Sequence, residues 1–451
     1  MVIDKLNLNS DTLQRIFGTR WLTNITLIAG CLSTTCGGIV YSFSLYGPQV
    51  ASKLGYTSLQ LNLIAIAGNL GVFVSTPYFG YLSDNYPTSS VGLYSTVLYF
   101  VGFMLMSLTY NGVLPSAFVL MMIYYFMVGM AGGCAYITAT ATTGHNFRHK
   151  RGFGIGVPVT FFGLSAFLFS LVYHQFFVNG DEANTSGYLS FMAISTSLIT
   201  FISSRFLIKL DYEVMIEEDN NEAVRTNNNG DIDIGGMDLF YDWDARLLFI
   251  SILFIGGSGL MYINNVGSML HTLEVVEKID NLPQLQALNV SVFSILNCLS
   301  RLLFATSSDY LAYHFKVKRT YFLLSSAIIL AISQLISGYA GIHQIVICSS
   351  IMGIGYGFMF AVAPTLTSVW FGTIRFGINW GWLNIGPALG GQLFSLLFGL
   401  IYDSNLSSSS ELICNKGNLC YRSSFLITSF FCIVAGLLSI VLIKRREVVL
   451  I

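Results

Sequence analysis

Arg301 is the residue in this chain whose chemistry is hardest to ignore. It lies in an apolar run, Leu288–Ser308, where a membrane helix should carry no charge. If that helix ends at Asp309, the guanidinium sits eight residues inside it, about 12 Å at the helical rise. A charge at that depth is costly and faces a water-filled cavity or a partner. It could bind a carboxylate through two parallel hydrogen bonds. The other reading is structural, an arginine that reaches back to the headgroups or locks a gate. Asp84 and Asp309 close the second and eighth apolar runs. They suit a gate held through Arg151, Arg375 or helix N-termini, and the alternative is a pair of solvated loop residues. Asn264 and Asn265, adjacent in the seventh run, need partners inside a membrane and read equally as substrate lining or interhelical bonds. Tyr41, Tyr136, Tyr356 and Asn384 are weaker candidates of the same kind, with core packing the simpler reading for the tyrosines.

The elements that must position these residues follow from composition. Of 451 residues only 10% are charged and 54% are hydrophobic, too little charge to cover a soluble protein of this size. Soluble domains, a nucleic-acid binder and a disordered scaffold are thereby excluded. Apolar runs of about 20 residues, long enough to cross a hydrocarbon core, recur twelve times. Among them are Trp21–Tyr46, Leu59–Leu82, Phe153–Phe176, Leu247–Leu270, Leu288–Ser308, Ile342–Leu366 and Gly377–Tyr402. Between Asp211 and Asp244 lie 11 of the 23 acidic residues, with Arg225 alone to oppose them. That stretch reads as a solvated linker. The expected organisation is a cytosolic N-terminus (1–20), a six-helix bundle (21–210), an acidic linker (211–245), a second six-helix bundle (246–443) and a cytosolic C-terminus (444–451). All Lys and Arg, with Arg301 counted to the nearer end of its span, divide 18 to 4 in favour of the side holding both termini, which places that side in the cytosol. Met1–Arg20 lacks a continuous apolar core, so no cleavable signal is expected before the first span.

The two halves repeat. Tyr81-Leu-Ser-Asp84 is matched by Thr306-Ser-Ser-Asp309, and Phe147-x-x-x-Arg151 by Phe371-x-x-x-Arg375, with Asp-to-Arg separations of 67 and 66 residues. Such a repeat argues for two bundles related by a pseudo-two-fold axis and for transport by rocking.

Gly80-Tyr-Leu-Ser-Asp84 resembles the loop motif of the major facilitator superfamily, with Asn85 and Pro87 where that motif has a basic residue and a glycine. Other stretches resemble the nodulin-like proteins and their fungal relatives, the monocarboxylate-transporter homologues. They include Arg20-Trp21, Tyr41-Ser-Phe-Ser-Leu-Tyr-Gly-Pro48, Gln60-Leu-Asn-Leu63, Asn146-Phe147, Phe376-Gly377, Gly386-Pro387 and Phe398-Gly-Leu-Ile-Tyr-Asp403. The resemblance implies an all-α carrier of twelve transmembrane helices in two pseudo-symmetric six-helix bundles. For the fungal branch it implies a vacuolar membrane, with the plasma membrane as the alternative. In the classical monocarboxylate transporters a similarly placed arginine has an acid one turn earlier. Asn297 stands there, so their proton-linked mechanism does not carry over.

No Asp, Glu or His falls in the middle of a span as drawn, which favours facilitated diffusion, or a carrier whose charge balance is Arg301 and an anion. Gly386-Pro-Ala-Leu-Gly-Gly391 resembles an antiporter motif but lies in the eleventh span rather than the fifth, and reads as tight packing. Cys414 and Cys420 suit a disulfide in a non-cytosolic loop, and Asn184-Thr-Ser a glycosylation site. Enzyme motifs, cofactor sites and metal sites are not expected. The expected partners are a small-molecule solute and membrane lipid, not nucleic acid, for a monomeric carrier of a small organic solute, a monocarboxylate first. A membrane receptor acting through the acidic linker is the alternative, and a channel a third option.

Overall fold

The computed structural model describes residues 18–147, 150–179, 182–210, 234–236, 238–277, 282–406 and 414–446. Nearly all of the N-terminal segment, most of the acidic linker and the end of the C-terminal segment lie outside them. Among the described residues twelve helices are long and apolar enough to cross a membrane. The first six are Trp21–Ser42, Gln60–Asn85, Thr88–Tyr110, Phe118–Asn146, Arg151–Phe176 and Thr185–Phe206. The last six are Trp243–Glu277, Gln284–Phe315, Thr320–Ser337, Ile342–Phe371, Phe376–Ser404 and Arg422–Arg445. Sheet structure is confined, among these residues, to a two-residue pairing of Val178–Asn179 with Glu182–Ala183.

Several helices outrun the apolar runs that announce them. The seventh extends to Glu277 rather than Leu270, and the eighth to Phe315 rather than Ser308. Polar residues such as His271, Glu274 and Asp309 therefore belong to continuous helices, because intrahelical hydrogen bonding does not stop where hydrophobicity does. The first span behaves differently. Its α-helix ends at Gly37, tightens to a 3-10 turn over Gly38–Ser42 and resumes at Phe43. A side chain at Gly38 would run into the carbonyl of Phe162, and Tyr99 and Tyr125 donate their hydroxyls to Cys36 O (2.6 Å) and Val40 O (2.8 Å). Those phenols satisfy carbonyls around the change of helical pitch, as a lipid environment requires.

The chain divides into two compact units. One holds the residues up to Gly236 together with Thr367–Trp382, and the other the remainder. The start of the eleventh span, expected in the bundle 246–443, is thus grouped with the first six spans. Within the first unit the second and fourth spans meet at glycines: a Cβ on Gly133 would fall 2.5 Å from Val72 O, and one on Gly129 would collide with Gly68 O. Small residues let the backbones approach, which is how membrane helices gain packing energy without a hydrophobic drive. Thr138, Thr140, Thr142 and Thr143 return their hydroxyls to carbonyls four residues back, so the fourth span carries them without a polar debt.

In the second unit the eighth and tenth spans repeat that contact. Cβ atoms on Gly353 and Gly357 would meet the carbonyls of Phe293 and Asn297. The seventh and eleventh spans close at Gly257 and Gly390, where a Cβ on Gly257 would lie 2.6 Å from Gly390 Cα. Gly386–Gly391 is a packing seam of the eleventh span. A buried chain of hydroxyls and amides, Tyr262 to Ser349 (2.7 Å) and Ser349 to Asn289 (2.7 Å), joins the seventh, tenth and eighth spans. Gln334 of the ninth span donates to Ser258 O of the seventh and accepts from Thr428 of the twelfth.

Candidate functional site

In the first unit the chemistry gathers at the end of the second span. Pro77 has no N–H for the carbonyl of Phe73, and the Thr76 hydroxyl donates to that carbonyl instead, at 2.8 Å. The same hydroxyl lies 3.2 Å from Gly381 O. Beyond it Gly80 meets the backbone of Gly377, where no side chain would fit, and Gly381 lies against Thr76 and Pro77. This close approach brings the first turn of the eleventh span to Asp84. The Gly377 N–H donates to Asp84 Oδ1 at 3.0 Å and the Ile378 N–H to Oδ2 at 2.8 Å. Those N–H groups have no intrahelical acceptor, and they form the positive end of the helix dipole. A carboxylate there is a charge-assisted cap.

Lys209, just past the sixth span, completes the cluster. Its ammonium donates to Ser83 O at 2.8 Å and lies 3.7 Å from Asp84 Oδ1. The Asp84 side chain is 4% exposed against 25% for Lys209. Burial pulls the lysine below its ordinary pKa, and the Asp84 charge opposes that pull. Arg151 donates to Ser368 O (2.8 Å) near the end of the tenth span, where helix carbonyls lack partners. Arg375 reaches Gly235 O at 3.4 Å and Asn379 donates to Ile234 O at 2.7 Å. The hydroxyl of Tyr136 accepts from Trp380 Nε1 at 3.0 Å, and its ring lies 4.9 Å from that of Phe162. Tyr41 meets Phe162 edge-on at 5.9 Å and is exposed.

In the second unit Arg301 is 4% exposed. Because the helix continues to Phe315, the residue is 14 positions from its end, about 21 Å rather than about 12 Å. That depth is too great for a side chain to reach the helix end. One turn earlier on the same face, Asn297 Oδ1 accepts from Arg301 Nε at 3.1 Å. The guanidinium carbon lies 4.7 Å from the ring centroid of Phe360 on the tenth span, a cation–π contact. The close contact at Gly357 and a hydrogen bond from Ser300 Oγ to Ile354 O (2.7 Å) bring the tenth span near enough for that ring to reach. Asn297 and Phe360 orient the guanidinium, one by a hydrogen bond and the other by its ring face.

The remaining candidates scatter. Asn265 donates to Met261 O within its own helix, while exposed Asn264 makes a long contact of 3.4 Å to Ser395 of the eleventh span. Tyr356 is buried against Phe293 and Phe360 and covers Gly259. Asn384 interrupts the eleventh span between Leu383 and Ile385, buried, with its Oδ1 unpaired. Asp309 pairs with Arg319 at 2.9 Å. Cys414 and Cys420 are disulfide-bonded. Asn184 is exposed and caps the sixth span by accepting from Gly187 N–H at 2.9 Å. Lys209, Phe360, Trp380 and Asn379 were not anticipated. Each acts across more than fifty positions of sequence, and only the Arg301–Asn297 pair announces itself by its spacing.

A family model described as Nodulin-like matches residues 20–227, and a second, described as the NFD4 C-terminal domain, matches residues 229–450. Solved structures share the fold. The E. coli fucose:proton symporter aligns with a TM-score of 0.60 at 13% identity, over 92% of this chain and 99% of that one. A proton:xylose symporter of the major facilitator superfamily aligns at 0.62 and 12%, over 92% and 94%. This chain belongs to the nodulin-like branch of the major facilitator superfamily. Its relatives include a protein named "Probable transporter MCH1" from Wickerhamomyces anomalus, 27% identical over 87% of this chain and 82% of that protein. The protein of that name from Saccharomyces cerevisiae is 25% identical over 94% and 93%. The chain is a multi-pass membrane protein and a secondary transporter with the twelve-helix fold of its superfamily.

Proposed function

We propose that the chain carries a small organic anion, a monocarboxylate, by alternating access, and that Arg301 makes the anion contact. The observation that carries this reading is a guanidinium buried near the middle of the eighth helix and oriented by a neutral amide and an aromatic face. A planar carboxylate matches the guanidinium fork and can take two parallel hydrogen bonds from it. Asn384, with its unpaired buried oxygen, is the next candidate lining residue, ahead of Asn264, Asn265, Tyr41 and Tyr136. Asp84, held on the first turn of the eleventh span, forms a latch that must release in each cycle. Arg151 and Arg375 steady the adjoining helix ends, and Asp309 steadies its own half. Transport proceeds down the solute gradient without an obligatory proton. The loop-charge asymmetry supports cytosolic termini, and the likeness to fungal relatives supports a vacuolar membrane. The carrier works as a monomer among lipids, with a glycan on Asn184.

A thermal-unfolding screen of the purified protein against carboxylates, amino acids, sugars and metal ions tests this, with Arg301→Gln alongside. A ligand at 100 times its Kd adds about 2.7 kcal/mol of stability. A carboxylate-induced shift that disappears in Arg301→Gln is the expected result. A shift produced by neutral or cationic solutes, or unchanged by the substitution, rejects the monocarboxylate assignment.

A further inference from the structure

We infer that Ile234–Gly236, within the acidic linker, is a strap that holds the first turn of the eleventh span on the Asp84 latch and so restrains its release. The proposal rests on the latch reading above. Three independent features place the strap. Asn379, fully buried, donates to Ile234 O at 2.7 Å, and Arg375 lies along Gly235 with its guanidinium 3.4 Å from that carbonyl. A methyl at Gly235 would fall 2.7 Å from Arg375 Cβ, so the buried position admits no side chain without displacing the arginine. Gly236 has φ +69°, a left-handed conformation that favours glycine. The Gly235-Gly236 pair is thus what lets the chain lie flat on Arg375 and then turn away.

The contacts bracket the latch. Arg375 and Asn379 flank Gly377 and Ile378, whose N–H groups Asp84 holds. One short turn is therefore gripped twice, through its backbone by the second span and through its side chains by the strap. With the strap seated, the turn is held by the strap's side-chain bonds as well as by the Asp84 cap and the contacts of Thr76, Gly80 and Tyr136, whereas lifting the strap first removes the grip on Arg375 and Asn379. The linker is then a brake on turnover, acting through Arg375 and Asn379 as positioning residues.

The test is backbone deuterium exchange of the full-length protein, read on the peptide covering residues 376–383, which needs no substrate. Gly235→Val and Asn379→Ala are compared with the parent and with Asp84→Asn, which weakens the cap directly. Loss of the strap should speed exchange at Gly377 and Ile378 about tenfold. Exchange in the ninth and twelfth spans and the unfolding temperature should stay as in the parent. Unchanged exchange in both variants overturns the strap. So does acceleration spread across the whole chain with a lowered unfolding temperature, which would make these contacts ordinary support. If Gly235→Val does not fold, Asn379→Ala decides alone. Arg301→Gln should leave this exchange untouched, so failure of the carboxylate assignment and failure of the strap are separate results.

Discussion

Asp84 and Asp309 occupy the same place in two copies of one pattern, 225 positions apart, yet they keep different company. Asp84 receives two backbone N–H groups from the eleventh span, while Asp309 pairs with Arg319, from the loop that follows its own helix. The residues one and two turns earlier explain the difference. In the first half they are Gly80 and Thr76; the corresponding positions in the second are Ala305 and Arg301. The small pair, with Pro77 beside it, lets the backbone at Gly377 and Gly381 come into contact. The second pair puts a methyl and a guanidinium in the same places. Both halves keep the glycines that join their helices, Gly129 and Gly133 in one and Gly353 and Gly357 in the other. The repeat thus preserves the backbone joints and lets the facing side chains diverge, one set toward anchoring a helix and the other toward holding a charge.

Breaking that asymmetry should cost most where the backbones touch. Gly80→Val drives a branched side chain into the Gly377 carbonyl and should destabilise the protein by about 3 kcal/mol. Ala305→Gly, the reciprocal exchange in the other half, should cost about 1 kcal/mol through helix propensity. Thermal unfolding of the two purified variants measures the difference. Equal losses would mean that the halves are packed alike at this point. Next comes Asp84→Ala, which strips a charge-assisted acceptor from two N–H groups and leaves Lys209 beside a gap. It should cost about 2 kcal/mol, read by the same unfolding measurement.

How much of this was legible in the sequence depends on the length scale. Twelve spans, the two-half repeat, the Asp84 and Arg301 positions and the Cys414–Cys420 loop all follow from patterns within a few dozen residues. Helix ends were not legible where polar residues continue a helix, which is why the eighth span runs past Asp309 to Phe315. The change of pitch at Gly38 depends on Phe162, far along the chain, and no local pattern reports it. The same holds for the partners that define the site. Asn297 could be paired with Arg301 from its spacing, but Phe360, and the meeting of Asp84 with Gly377, arise only when separate helices are brought together. Grouping of Thr367–Trp382 with the first six spans is the largest such surprise, and its cause is the small-residue surface at Thr76 and Gly80.

The second half can be sharpened in turn. Asn297→Asp places a carboxylate where a neutral amide now holds Arg301 Nε. If that guanidinium is what draws an anion, an internal carboxylate should compete with it and weaken carboxylate binding about tenfold, or about 1.4 kcal/mol. Titration by ligand-induced thermal shift measures this, and unchanged affinity would remove Arg301 from the anion contact. Val72, the equivalent of Asn297 in the first half, faces Gly133, and Val72→Asn should leave carboxylate affinity as it was.

The smallest effect belongs to the other aspartate. Asp309 and Arg319 form an ion pair whose arginine side chain is 20% exposed, so water screens part of the attraction and the long side chain loses freedom on pairing. Asp309→Ala should therefore cost no more than about 1 kcal/mol, well below Asp84→Ala at its repeat equivalent. A double-mutant cycle with Arg319→Ala isolates the pair from the other contacts of each residue. A coupling energy as large as the Asp84 loss would show that the second half holds its aspartate as tightly as the first, by a side chain instead of a helix end. A small one leaves the two halves unequal in the sense argued from Gly80 and Ala305: the tight grip forms where a glycine lets a backbone come within reach.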